Sequence, residues 1–377
     1  FNEVGAANFT NHTGGVLCIA NVKSSGIFTA GIVDGGTVTN MQGATISINN
    51  TGEDGVQTVF QAALDNFGVL EIGHSGPIGR HGIFNTGQMV NQIAGTMSIR
   101  NTTNHAIFNS KYEDLNAEYS FRNGGKLTID QITGSNKNAI LTSTGSSFEN
   151  LTCSSLVNIL CNNPIVTMAQ GYFRNEGNII ERATANSNIN ANFGVIQNLN
   201  GGTFTTDDLN EGTISSLSNV AVWTGCVSTD WENTGNWHNG QLPGTLSQVI
   251  IPATENNPII GSNTIVLITS MQVLQDARII NNGEMNLAGV SVTRIDNQGE
   301  FTNNGILRIE NTNSPTDYGL KNTGNFRNDN CGLLDLKASL NNSSNFENRG
   351  LFMINSAITL TNSNLSNRGI IEYNVPS

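Results

Sequence analysis

The chain has 377 residues, 37% of them hydrophobic and only 12% charged, with 17 Lys and Arg against 29 Asp and Glu and a formal net charge of −12. That balance excludes a nucleic-acid binder, whose phosphate contacts need clustered cations, and disfavours an anionic membrane surface; no apolar run approaches the ~18 residues that span a bilayer. With so few charges, and with Asn at about 15% of the chain beside 41 Gly, solubility falls to amides and hydroxyls.

Phe1 opens the chain with neither a Met nor a charged and hydrophobic leader, so the sequence reads as a mature product or an excised segment. A short phrase then recurs: a hydrophobic residue, Asn one or two places on, a Gly, and apolar residues in alternation. Clear copies are Phe121-Arg122-Asn123-Gly124, Phe173-Arg174-Asn175-Glu176-Gly177 and Phe346-Glu347-Asn348-Arg349-Gly350. Aligned on it, the first part of the chain places Asn11, Asn40, Asn91, Asn123, Asn150 and Asn175 in one series, with a weaker copy at Asn66. A second phrase precedes it, as in Gly26-Ile27-Phe28-Thr29, Gly82-Ile83-Phe84-Asn85 and Ala106-Ile107-Phe108-Asn109. Helical spacing is nearly absent, its best stretch being Val56 to Leu64.

A unit of 20 to 30 residues that cannot bury its own apolar face must stack on copies of itself. Period-two apolar runs separated by Asn and Gly read as strands joined by tight corners, since those residues reach left-handed backbone at least steric cost. The expected fold is therefore all-β: a right-handed parallel β-helix (β-solenoid) with about three short strands per coil, in two segments. Equivalent Asn side chains one coil apart would lie one strand spacing from each other, close enough to form an amide ladder. Asn that are only turn formers would predict the same residues without mutual side-chain bonds.

The pattern breaks between about Thr205 and Ala277. Composition thus divides the chain into residues 1–205, a β-helix with long irregular coils; 206–278, a Trp-rich junction and start of a second module; and 279–377, a β-helix with shorter coils. The junction holds Trp223, Trp231 and Trp237, read as a cap over the exposed apolar cross-section of a solenoid, with a sugar-stacking platform as the competing reading. In the last segment the ladder or corner positions are Asn297, Asn303, Asn322, Asn328, Asn348 and Asn367.

Five cysteines show no metal-ligand spacing; Cys153 and Cys161 are close enough in sequence to suggest a disulfide across one coil in an oxidising compartment. Neighbouring acids occur as Glu53-Asp54, Glu113-Asp114 and Asp207-Asp208, read as solvated corners with weak Ca²⁺ binding as the alternative. The residue before the second phrase runs Ser25, Asp54, His81, His105, Asn138 and Asn163, a polar column that could form a hydrogen-bonded or pH-sensitive string but, with two His and no third ligand, a poor metal site. No nucleophile elbow, patterned His and acid, Walker loop or dinucleotide fingerprint is present, so no catalytic, cofactor or metal residues are assigned.

The succession Trp223-Thr224-Gly225, Ser228-Thr229-Asp230-Trp231, Asn236-Trp237, Gly240, Pro243 and Val249-Ile250-Ile251-Pro252 resembles the opening of modules found in large secreted and surface proteins of Bacteroidota, where it precedes a β-helical stretch. The resemblance covers residues 222 to 260. It implies a multimodular chain exported by the type IX system, located outside the cell or on its surface, as in adhesins and surface filaments; it names no ligand. The expected function is non-enzymatic, a rigid structural or adhesive segment, whose partners are other copies or modules of the same surface protein and host, prey or surface glycans. The alternatives are a carbohydrate-binding module and a β-helical polysaccharide lyase or hydrolase.

Overall fold

The structure, a computed structural model, describes residues 8–31, 36–111, 119–143, 145–200, 202–289, 293–310, 318–355 and 364–374. It divides into two compact units, Phe1–Ser218 and Asn219–Ser377. Both are parallel β-helices: strands of successive coils pair in parallel and in register, and among the described residues the only helical element is the 3-10 turn Thr234–Asn236.

In the first unit a nine-stranded sheet runs from Val16–Val22 through Thr45–Thr51, Val69–Ile72, Thr96–Ile99 and onward to Thr213–Ser215. A thirteen-stranded sheet supplies the remaining strands, two to most coils. One flat stacks Ile27–Gly31 on the start of Val56–Asn66, then the start of Ile83–Asn91, Ile107–Asn109, Ile140–Thr142 and Ile165–Thr167. The other stacks Thr37–Asn40 on the ends of those two long strands, then Tyr119–Asn123, Ser146–Asn150 and Tyr172–Asn175. Three strands per coil is thus the observed number as far as Ile165–Thr167; the coils of Ser187–Asn192 and Phe204–Asn210 are shorter and pair along two strands. The stretch with helical spacing, Val56 to Leu64, is extended: neighbours on both sides fix its pairing, and the spacing reflects a bend at Phe60 (φ 61°), where the register skips between Val59 and Ala63.

The second unit builds three six-stranded sheets, which open with Val220–Val222, Ile259–Ile260 and Ile265–Ile268 and end with Leu340–Asn342, Asn364–Asn367 and Ile370–Tyr373. The compositional junction 206–278 has no core of its own. Phe204–Asn210 and Thr213–Ser215 extend the first unit's sheets, whereas Val220 onward belongs to the second.

The recurring phrase has a simple structural meaning. In Phe-x-Asn the first and third residues point inward and the middle one outward, as the strand period of two requires. Phe121, Phe148 and Phe173 therefore stack at 4.8 and 4.5 Å between ring centroids, and Phe301, Phe326 and Phe346 at 5.2 and 5.0 Å, all buried. Burying each such ring contributes roughly 2–3 kcal/mol. The Gly after the Asn is demanded by crowding between coils: at Gly194, two residues past Asn192, a Cβ would lie 1.9 Å from the Gly177 carbonyl oxygen of the preceding coil, and at Gly68 2.3 Å from the Ala44 carbonyl oxygen. Outward positions put opposite charges in neighbouring coils, among them Arg122 with Glu149 at 3.2 Å and the bidentate Arg278–Glu300 pair at 2.9 Å.

Candidate functional site

The amides of the phrase bond to one another. In the first unit Asn11, Asn40, Asn66, Asn91, Asn123, Asn150, Asn175, Asn192 and Asn210 form one series in which each Nδ2 donates to the Oδ1 of the next, at 2.8–3.0 Å. Asn40 through Asn192 in this series are fully buried. From Asn11 to Asn175 the amides have a second duty, for Nδ2 also donates to backbone: Asn123 reaches the Gly125 carbonyl at 3.2 Å and Leu156 in the next coil at 3.3 Å. The ladder thus satisfies corner carbonyls that would otherwise be buried without a partner.

The second unit carries two ladders where sequence alignment placed its asparagines in one group. Asn281, Asn303, Asn328, Asn348 and Asn367 form the first, at 2.7–2.8 Å. Asn297, Asn322 and Asn342 form the second, at 2.7 Å, on the sheet that starts with Val220–Val222. The reading missed Asn192, Asn210, Asn281 and Asn342. For Asn192 and Asn210 the signal was spacing: Asn175, Asn192 and Asn210 are 17 and 18 residues apart, shorter than the coils used for alignment.

Trp223, Trp231 and Trp237 are all buried, at 0, 3 and 2% exposure. Trp237 sits edge-on to the other two at 5.1 and 4.7 Å; its Nε1 donates to the Trp231 carbonyl and Trp223 Nε1 to the Asn256 carbonyl. The cluster packs into the second unit's core with Val249, Ile251 and Ile260, where no ring face is open to a sugar. Beside it His238 is buried, its Nδ1 accepting the Val222 N–H at 3.1 Å, and burial pushes its pKa down to about 4.

The polar column stands in register, because the strands that follow it pair as Ile27, Val56, Ile83, Ile107, Ile140 and Ile165. Asp54 is fully buried there, contrary to the expectation that the paired acids are solvated corners. The reason is a partner that the alignment did not bring into view: Arg80 donates Nε to Asp54 Oδ1 at 2.9 Å and pairs through Nη2 with Oδ2, while the backbone N–H and Nδ1 of His81 each lie 3.0 Å from Oδ1. Burial raises the Asp54 carboxyl, but these bonds outweigh it and hold the pKa below the ordinary carboxylate value. The His81 and His105 rings stack at 5.8 Å, nearly parallel, and His105 Nδ1 accepts the Asn138 N–H, so His105 is the Nε2–H tautomer. Burial, with His81 and Lys137 nearby, lowers the His105 pKa to about 4. Parallel rings at that separation cannot converge on one metal, and among the described residues no three His, Cys, Asp or Glu gather to hold an ion. Asp54→Ala is expected to destabilise the first unit by about 2 kcal/mol, less than a fully buried pair would, because Arg80 is 42% exposed and can return to water. Since the Asp54 pKa is lowered on folding, that contribution is present above pH ~4 and lost below it; urea titrations at pH 7 and pH 3 check both points.

Of the other acids, Asp207 and Asp208 lie on the exposed strand Phe204–Asn210, where Asp207 Oδ2 accepts from Asn188 Nδ2 at 3.2 Å; Glu113-Asp114 lies outside the described residues. The Cys153–Cys161 disulfide does not form: Cys161 is a free thiol, with burial pushing its pKa up to about 11. The extended strand Leu156–Ile159 runs between the two residues, and its length alone, roughly 10 Å, exceeds the ~7 Å between Cα atoms that a disulfide allows. One group that sequence reading passed over is Glu181, fully buried with its carboxylate held by Ser187 Oγ at 2.8 Å and Asn198 Nδ2 at 2.7 Å.

Residues 222–331 match a family model described as Domain of unknown function (DUF8693). The match opens one residue before Trp223 and takes in the tryptophan cluster and the first coils of the second unit. No curated protein matches the chain. Among the described residues no helix is long and apolar enough to cross a membrane.

Proposed function

We propose that the chain is a non-enzymatic, load-bearing segment of a large extracellular surface protein or filament, working by holding its shape under force. The observation that carries the reading is the unbroken series of nine amides through the first unit. In the first unit successive coils are joined by backbone bonds along two or three strands and by the amide bond inside, so detaching a coil requires breaking them together. Amides suit this role because the bond is the same at every level and needs no charge. The surface location rests on the resemblance at Trp223–Pro252, and the partners proposed are further modules or copies of the same protein and surface glycans.

Single-molecule force spectroscopy on the whole chain, tethered at both termini, tests it. Extension is expected in coil-sized steps: about 25 residues release roughly 90 Å of chain. Unfolding of each unit at low force in one event would overturn the proposal, as would turnover of a polysaccharide by the purified chain.

A further inference from the structure

The outer face of the first unit's ladder sheet contains a trough that none of the amide or aromatic machinery uses. We infer that this trough binds a short stretch of a neutral glycan. Its floor is one register position in four successive coils: Gln88, Ser120, Ser147 and Tyr172. Two small serines between two larger residues leave a hollow that Gln88 closes at one end and Tyr172 at the other. The neighbouring outward position supplies Val90, Arg122 and Glu149, and the corners at Gly145 and Gln170 rise as a wall, both in left-handed backbone (φ 72° and 63°). The Gly145 N–H donates to the Gln170 carbonyl at 2.8 Å, tying the two corners together. The hollow encloses about 520 Å³ and spans three coil spacings, on the order of 14 Å.

The lining selects the ligand class. Serine hydroxyls and the Gln88 amide each offer both donor and acceptor, as sugar hydroxyls do, and the Tyr172 ring, 38% exposed, offers an apolar face beside a polar tip. The only charges that line the hollow, Arg122 and Glu149, lie 3.2 Å apart and cancel, which favours a neutral ligand over an acidic polymer or a basic peptide. A peptide has a further obstacle. All the floor strands are paired on both sides, so no free sheet edge is available for strand addition and recognition must pass through side chains. The second unit repeats the theme on its own ladder sheet, in a groove of about 440 Å³ that includes Gln298, Asn325 and the paired Arg278 and Glu300.

The inference deepens the surface-protein reading by naming a partner class. Its test is a neutral and acidic oligosaccharide array probed with the full chain, followed by calorimetric titration of the best neutral ligand. Binding to neutral oligosaccharides is expected, weakened at least tenfold by Tyr172→Ala and abolished by Ser147→Trp, which fills the hollow from an outward position. Arg122→Ala adds a third variant that leaves the floor's shape largely in place and should weaken binding as well. Each variant is compared with wild type by circular dichroism melting. Absence of glycan binding by the folded wild type, binding only to acidic glycans, or affinity unchanged in all three folded variants overturns the inference. None of these outcomes alters the force measurement, so the trough and the load-bearing reading fail separately.

Discussion

Asn123→Ala is expected to destabilise the first unit by about 4 kcal/mol, although no apolar group is lost. The substitution removes the acceptor for Asn91 Nδ2 and the donor for Asn150 Oδ1, each in a fully buried residue, and takes a donor from the Gly125 and Leu156 carbonyls. A buried polar atom left without its partner costs about 1–3 kcal/mol, and at least two are created here. Because Asn123 and Asn150 share a bond, the double Ala variant should cost at least ~1 kcal/mol less than the sum of the single variants. Asn345→Ala is the control. Its amide bonds Asn325 at 3.0 Å on the exposed surface, and a change within ~0.5 kcal/mol is expected. Urea unfolding followed by circular dichroism reads the effect, while tryptophan fluorescence reports on the second unit, which holds all three tryptophans. A loss below ~0.5 kcal/mol in Asn123→Ala would reduce the ladder to a row of turn formers.

The solenoid was legible because its signal is repeated. An inward Phe, an outward charge and an inward Asn recur at Phe121–Asn123, Phe148–Asn150, Phe173–Asn175, Phe326–Asn328 and Phe346–Asn348, and strand periodicity alone assigns each to a face. Register followed from the same repetition, which is why Asp54, His81 and His105 could be placed one above another. Partners that do not repeat were not legible. Arg80 reaches Asp54 from one residue before the column, and nothing in its spacing separates it from a surface arginine. The two ladders of the second unit show the same limit: Asn297 and Asn303 are six residues apart and end different strands, and only the pairing of Asn297 with Asn322 and of Asn303 with Asn328 assigns them to separate columns. Cys153 and Cys161 misled in the opposite sense, since closeness in sequence along an extended strand is distance in space.

Glu181→Gln is expected to make the first unit more stable at pH 8 by on the order of 3 kcal/mol, with the gain disappearing near pH 4.5. The residue occupies an inward position that other coils fill with isoleucine: Ile72, Ile99, Ile129 and Ile159 stack in register, and Glu181 follows one residue after the Asn158–Ile180 pair. Its carboxyl accepts bonds only from Ser187 and Asn198, both neutral, and no nearby charge contributes to its shift, so burial prevails and raises its pKa from 4.5 to about 7. The sign follows from proton counting. Below pH 4.5 the acid is protonated in both folded and unfolded chains and folding is unaffected. Between 4.5 and 7 the unfolded chain gives up the proton while the folded one keeps it, so stability falls as pH rises, and above 7 the whole penalty is present. Glutamine keeps the shape and both bonds, its Oε1 accepting from Asn198 and its Nε2 donating to the Ser187 hydroxyl, and removes the titration. The low pKa values of His105 and His238 act in the opposite direction, lowering stability as pH falls below ~6.5, so the measurement is the difference between variant and wild type at each pH, in which those terms cancel. A difference that stays constant from pH 4.5 to 8 would show that Glu181 does not titrate within the core.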